Sequence, residues 1–288
     1  MKHAPISRRD RTLRAVFLIV ALVVVLVPLI WTALAAIGVE PNNNTPPPSW
    51  IVAPTVDHLA EVSVVEPEFW QELATSVDVS AAAALISAAV AFLAAYGLAR
   101  VAGPSIRRLT PGLLVLASLP IMAFILPLSD LVRRVGLLDT LPGVTLAEAA
   151  VTAPLAVYVF YAYLANISHE CEEAARLDGA GLSRLIRNVL LPDAAPIVAA
   201  VSIVLFVLDW NQLLVPLVLT GIDVRTLPVV LTDFFTLERE LDWPTAAAAL
   251  TISLVPLLIL VGALHRPLER FSLGGFASSS DARDAMEA

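Results

Sequence analysis

The stretch AVFLIVALVVVLVPLIWTALAAI occupies Ala15–Ile37 and contains no ionisable side chain. It is about 23 residues long, and an α-helix needs about 20 apolar residues to cross the hydrocarbon core of a bilayer. Five further stretches have this character: Ser80–Ala99, Pro111–Leu131, Leu146–Ile167, Ala194–Leu219 and Thr245–Leu264. None has the apolar–polar alternation of barrel strands, and only helices or closed barrels span a membrane. The expected fold is an all-α membrane protein of six transmembrane helices. The composition agrees. The 288 residues are 58% apolar and 15% charged, against about 45–50% and 25% in soluble domains. A soluble fold could not cover so much apolar surface.

Composition also excludes chemistry. The net charge of −8 leaves no basic field for nucleic acid. Lys2 is the sole lysine, and a phosphate-binding P-loop requires one. These residues therefore cannot form their own P-loop ATPase site. Cys171 is the sole cysteine, which excludes an internal disulfide and a thiolate metal site. His3, His58, His169 and His265 are scattered, so no metal site is expected. No cluster of catalytic His, Asp or Ser stands out, so no enzyme is expected.

Orientation follows from the cations. With the N-terminus inside, cytoplasmic segments carry fourteen of the eighteen Lys and Arg. Only Arg133, Arg134, Arg225 and Arg239 fall outside. Both termini are therefore expected in the cytoplasm. The resulting organisation is a cytoplasmic segment 1–14, a first transmembrane helix 15–37, an extracytoplasmic loop 38–79, a five-helix core 80–276 with a cytoplasmic loop 168–192, and a disordered tail 277–288. The first outside loop has seven acids and neither Lys nor Arg. Its Pro41–Pro54 segment favours extended backbone, and Val56–Gln71 has room for a short helix. Pro120 and Pro127 predict a kink in the third span, and Pro256 one in the sixth. Ser7-Arg8-Arg9 and Ala33-Leu34-Ala35 resemble parts of a signal peptide, but the apolar run exceeds a signal core of about 7–15 residues. The first span is expected to remain uncleaved.

The cytoplasmic loop between spans four and five reads ECEEAARLDGAGLSRLIRNVLLP over Glu170–Pro192. Good helix formers extend to Leu177, and Asp178-Gly179 interrupts them. Glycine supplies the positive φ of a helix terminus. Asp178 or Ser183 could cap the next helix. Leu182, Leu185, Ile186, Val189 and Leu190 give that helix an apolar face, and Pro192 and Pro196 are expected to end it. The outcome is a helix–turn–helix at the cytoplasmic surface. It could rest on lipid headgroups or dock a partner protein.

The pattern Glu173-Ala174-Ala175, three residues, Gly179, nine residues, Val189, one residue, Leu191-Pro192 resembles the EAA motif of bacterial ABC importer permeases. The family form has Ile where Val189 stands. Other stretches resemble the carbohydrate, maltose-type branch: Asp178-Gly179-Ala180, Ala95-Tyr96-Gly97-Leu98-Ala99-Arg100, Gly136-Leu137-Leu138-Asp139-Thr140, Trp210-Asn211-Gln212-Leu213-Leu214 and Thr226-Leu227-Pro228-Val229. The resemblance covers Ser76 to Phe276. Asp193 departs from it, following Leu-Pro where an apolar residue is usual, and Asp209, just before the Trp-Asn pair, is unusually acidic.

This resemblance implies a permease subunit of the bacterial inner membrane, with 168–192 as its coupling loop. Glu173, Ala174, Ala175, Asp178, Gly179, Ala180, Leu185, Leu191 and Pro192 would dock a cytoplasmic ABC ATPase dimer. No cofactor is expected in this chain; ATP and Mg would be bound by that ATPase. A second permease subunit, in a heterodimer, and an extracytoplasmic solute-binding protein are the other implied partners, with membrane lipid around the spans. The loops 38–79 and Gly221–Trp243 are candidate docking surfaces for the binding protein. The solute would be a sugar or sugar-like; amino acid, polyamine and phosphate are the alternatives within the class.

Ionisable groups inside spans are costly and often functional. Asp209, with Trp210, Asn211 and Gln212, is the candidate solute-pathway group. On an unbroken helix Asp209 and Gln212 share a face, and Trp210 offers a stacking surface. An interhelical polar contact is the structural alternative. A self-sufficient ion-coupled transporter would use Asp209 as its coupling acid, although no internal repeat supports it.

Overall fold

The computed structural model describes residues 8–42, 49–52, 54–65, 67–221, 223–235 and 243–263. The expected tail 277–288 and the cations Lys2, Arg239, Arg266, Arg270 and Arg283 lie outside the described residues, as does part of the Gly221–Trp243 loop. The chain forms two compact units: Met1–Trp70 with Leu231–Val255, and Gln71–Val230 with Pro256–Ala288.

In the first unit, α1 (Arg8–Ala36) leaves nearly all its apolar side chains uncovered, Phe17 and Leu18 among them. For a membrane helix lipid supplies that cover. Gly38, at φ +77°, turns the chain into β1 (Val39–Asn42). This strand pairs antiparallel with β2 (Ser49–Val52), Val39 facing Val52. The proline-rich loop is thus extended where it is described. Within Val56–Gln71 the short helix α2 (Asp57–Val65) forms. It packs, as does α1, on α13 (Trp243–Ser253), whose buried Ala246–Ala249 run permits close approach. The Glu61 carboxylate meets His58 Nδ1 at 2.9 Å and accepts a hydrogen bond from Thr245 Oγ1 at 3.0 Å. The His58 contact, and then that from Thr245, hold its pKa below the usual glutamate value.

The second unit is built on α3 (Phe69–Tyr96), continued by a π-helical turn at Gly97–Val101. The short α4 (Pro104–Arg107), α5 (Pro111–Ala117) and α6 (Ile125–Arg134) follow. Then come α7 (Leu141–Leu164), α8 (Glu170–Leu177), α9 (Leu182–Leu185) and α10 (Leu191–Trp210). Next come α11 (Leu214–Leu219) and α12 (Leu227–Asp233), within which the chain passes at Leu231 into the first unit's stretch. Ala84, Ala88, Ala91 and Ala95 are buried at spacings of three and four on α3. That spacing makes one small-residue face, the usual solution where lipid gives helices no hydrophobic reason to associate. Phe92 fills the remaining gap edge-on against Phe160 of α7, ring centroids 5.4 Å apart.

Two expected spans differ. Pro111–Leu131 is not one helix: the chain breaks at Ser118–Pro120, where Pro120 adopts extended backbone (ψ 130°). The Ser118 hydroxyl bonds back to the Leu114 carbonyl. Pro127 causes no kink, because it stands in the first turn of α6, where its missing N–H is not needed. The fifth span is shifted. Its continuous helix runs Leu182–Trp210 instead of Ala194–Leu219, and the chain opens at Asn211–Leu213 before α11. Ahead of Pro256 the helix is interrupted at Leu254. Five helices among the described residues are long and apolar enough to cross a membrane: Thr12–Ala36, Phe69–Val101, Leu141–Leu164, Leu182–Trp210 and Trp243–Ala263.

One acid ties together the loops after α6 and α11. Asp139 sits at φ +55° and accepts backbone N–H bonds from Gly221 (2.7 Å), Asp223 (3.2 Å) and Val224 (3.2 Å). Its own N–H donates to the Leu219 carbonyl at 2.9 Å. This accounts for an aspartate within Gly136-Leu137-Leu138-Asp139-Thr140: a short acceptor side chain tolerates the left-handed backbone and reaches several amides.

Candidate functional site

The cytoplasmic segment begins with α8. Glu170, Glu172 and Glu173 occupy its first turn and Arg176 its last, the arrangement that complements a helix dipole. Asp178 closes the helix and Gly179 follows at φ +78°. The Ala180 N–H reaches the Ala175 carbonyl at 2.9 Å and the Gly179 N–H reaches Arg176 at 3.0 Å. Those two bonds define a Schellman terminus.

The next helix is capped differently from expectation. Gly181, in extended conformation, is the N-cap of α9, with no side-chain bond. Asp178 belongs to the preceding terminus, and Ser183 lies inside the first turn. Nor do the prolines end this helix. It continues through a π-helical turn, Ile186–Leu190, directly into α10. Pro192 lacks the N–H for a normal helical bond, and its ring crowds the carbonyl four residues back. A turn widened to i→i+5 bonds just before it relieves that conflict. Leu185 and Leu190, five residues apart, are both buried, whereas Leu182 is exposed.

Of the predicted docking residues, Glu173, Ala174, Asp178, Gly179, Leu191 and Pro192 are exposed, Ala175 and Ala180 half-buried and Leu185 buried. Leu177, at the end of α8, is 88% exposed. Gly179, Gly181, Leu182, Ser183, Arg184, Arg187 and Asn188 line an open groove of about 690 Å³.

What anchors this segment was not foreseen. Arg100, in the π-helical turn after α3, donates from Nε and Nη2 to Glu172 Oε1 at 2.9 and 2.6 Å. Its Nη1 donates to the Leu164 carbonyl at the end of α7, 2.7 Å away. The two side chains are only 7% and 5% exposed. Beside them Arg176 Nη2 donates to the Tyr96 hydroxyl at 2.9 Å. The signal was present in Ala95-Tyr96-Gly97-Leu98-Ala99-Arg100, which ends an apolar span on a cation. Its partner could be suspected because consecutive helical positions face about 100° apart. If Glu173 faces outward, Glu172 turns in.

The solute-pathway group is split. Asp209 is 2% exposed and Trp210 5%. The Trp210 ring stacks on Phe206 at 5.8 Å. Asn211 is exposed, its Nδ2 bonded to the Val207 carbonyl at 2.7 Å, and Gln212 is half-buried. The helix ends at Trp210, so the expected shared face of Asp209 and Gln212 does not form. Asp209 instead lies within electrostatic range of Glu148, on α7, and faces Thr152. Glu148 is 1% exposed. Thr152 donates to the Glu148 carbonyl at 3.1 Å and lies 3.4 Å from the Ser87 hydroxyl of α3. Neither Asp209 carboxylate oxygen, nor Glu148 Oε2, takes a hydrogen bond within 3.5 Å. Glu148 was missed, being one polar residue inside an apolar run. Among the described residues no group of three or more His, Cys, Asp or Glu could hold a metal.

Residues 87–272 match the family described as binding-protein-dependent transport system inner membrane component. The chain is 32% identical over 197 residues to the trehalose transport system permease protein SugB of Mycobacterium tuberculosis (strain CDC 1551 / Oshkosh), covering 67% of this chain and 71% of that one. It is 28% identical over 266 residues to the diacetylchitobiose uptake system permease protein NgcG of Streptomyces coelicolor, covering 90% and 86%. Among solved structures, a bacterial ABC transporter involved in the import of the acidic polysaccharide alginate superposes with TM-score 0.72 at 20% identity, over 92% of this chain and 99% of that one.

Proposed function

The chain belongs to the family of binding-protein-dependent transport system inner membrane components, and from that membership we propose that it moves a sugar or sugar-like solute inward, driven by a separate cytoplasmic ATPase docked on α8 and α9. It is a permease subunit of an ABC importer and not an enzyme. ATP and its Mg ion belong to the partner chains. The observation that carries the docking is the shape of α8. Glu173 and Ala174 are open to a partner, while Glu172, turned about 100° from Glu173, is held by Arg100. Small Ala174 permits close approach, and Glu173 can pair with a cation. The sugar solute is supported by relatives named for trehalose and diacetylchitobiose transport.

The machine also needs a second permease subunit, in a heterodimer, and an extracytoplasmic binding protein facing the acidic loop 38–79. The chain crosses six times with both termini cytoplasmic, the broken α5–α6 stretch making the third crossing. The cation distribution supports this orientation. The opening at Asn211–Leu213 lines the solute path, with Asn211 and Gln212 reaching it and Asp209 and Trp210 shaping it from within.

Purification in mild detergent tests the reading. A P-loop ATPase and a second permease are expected to accompany the chain. A chain that purifies alone yet transports in vesicles without ATP overturns it. Glu173→Lys is expected to abolish ATP-driven uptake while the protein inserts normally; unchanged uptake removes α8 from the docking face.

A further inference from the structure

We propose that Arg100 is a positioning residue that locks α8 to the cytoplasmic ends of α3 and α7, so that all three move as one lever. This rests on the reading that α8 and α9 dock the ATPase.

The geometry is that of a rigid joint. Three hydrogen bonds leave one guanidinium: two to Glu172 of α8 and one to the last carbonyl of α7. The Arg176–Tyr96 bond adds a second attachment between α8 and α3. A buried ion pair gives little net stability over apolar residues of similar volume. What it adds is direction, because the planar fork of arginine fixes distance and angle together. An apolar contact there could slide; this one cannot move without breaking bonds away from water. The other arm has a different joint. Through the π-helical turn Ile186–Leu190, α9 is continuous with α10, so it transmits motion along its own axis. Displacement of the docking segment therefore reaches α3 and α7 through the clamp, and α10 through the helix itself.

The test uses the assembled importer. Cys171 is exposed on α8 and is the chain's own single thiol; Val101→Cys places a second thiol at an exposed position just after the clamp. Spin labels on the two are expected to give the same distance distribution in the nucleotide-free and ATP-bound complex. A distribution that shifts between those states overturns the lever without any change to the clamp. In the double variant Arg100→Gln/Glu172→Gln, which leaves no buried charge, solute transported per ATP is expected to fall about tenfold with the complex still assembled. Arg100→Lys, which keeps the charge and loses the fork, is expected to behave alike. Wild-type transport per ATP in both overturns the proposal. Failure of the unmodified chain to bind an ATPase overturns it too, but by removing the docking reading beneath it.

Discussion

Two buried clusters of ionisable side chains in one compact unit differ in their partners. Around Arg100 and Glu172 the charges meet each other and a backbone carbonyl. Around Glu148 and Asp209 two acids lie within electrostatic range of each other with hydroxyls nearby, and neither Asp209 oxygen takes a hydrogen bond within 3.5 Å. Both are shielded from water, the acids more deeply than the Arg100–Glu172 pair. The first lies where α3 and α7 end, so an arginine can reach an unused helix carbonyl. Around the second, the last turn of α10 gives its Val207 and Asp209 carbonyls to Asn211 and Gln212 instead. Burial alone therefore does not assign a role. A paired charge fixes geometry; an unpaired acid contributes nothing to packing that a neutral group could not.

That comparison can be broken by substitution. The largest effect is expected from Arg100→Met, which strands Glu172 in an apolar setting and should cost roughly 3–5 kcal/mol. Thermal unfolding in detergent measures it, and adding Glu172→Met should recover most of the stability but not the uptake. If the single variant unfolds like the wild type, the pair is not truly buried. Next comes Asp139→Ala. It removes the acceptor for three backbone amides and leaves a left-handed backbone without its supporting contacts, about 3 kcal/mol. A stability loss well under that marks the stitch as solvent-exchanged. At Gly179, where no neighbour would crowd a Cβ, alanine meets only the conformational cost, about 1 kcal/mol. Larger losses there point to a contact in the assembled importer. The smallest effect is expected at the unpaired acids. Asp209→Asn should change stability by less than about 1 kcal/mol, or raise it, because a neutral amide escapes the cost of burying a carboxylate. A marked loss reveals a partner for the carboxylate, and the contrast with Arg100 then falls.

Much of this was legible in the sequence, for reasons that differ between elements. Most of the apolar runs read correctly as helices long and apolar enough to cross a membrane, because hydropathy is a local sum; Pro111–Leu131 did not form one helix. The turn at Asp178-Gly179 read correctly because a positive φ is a local demand on one residue. The break at Pro120 was read only as a kink, because a proline's effect depends on whether neighbouring bonds can re-form around it. The continuity of α9 with α10 was missed because a proline that usually stops a helix can be absorbed by a π-helical turn. Glu172 was passed over for Glu173 because the motif marks the outward residue, while the inward one acts seventy-two positions away in sequence.

Composition and spacing alone are enough to read a helical membrane protein whose 288 residues hold no P-loop and carry a helix–turn–helix with the spacing of a family motif. Those properties reside in composition, periodicity and single-residue backbone preference, which need no partner to be expressed. Only the tertiary structure decided which charges meet. Arg100 found Glu172, and Asp209 came within electrostatic range of Glu148, because the inward face of a helix is set by what packs against it. That choice is made between segments brought together by folding, and no local window of the chain contains it.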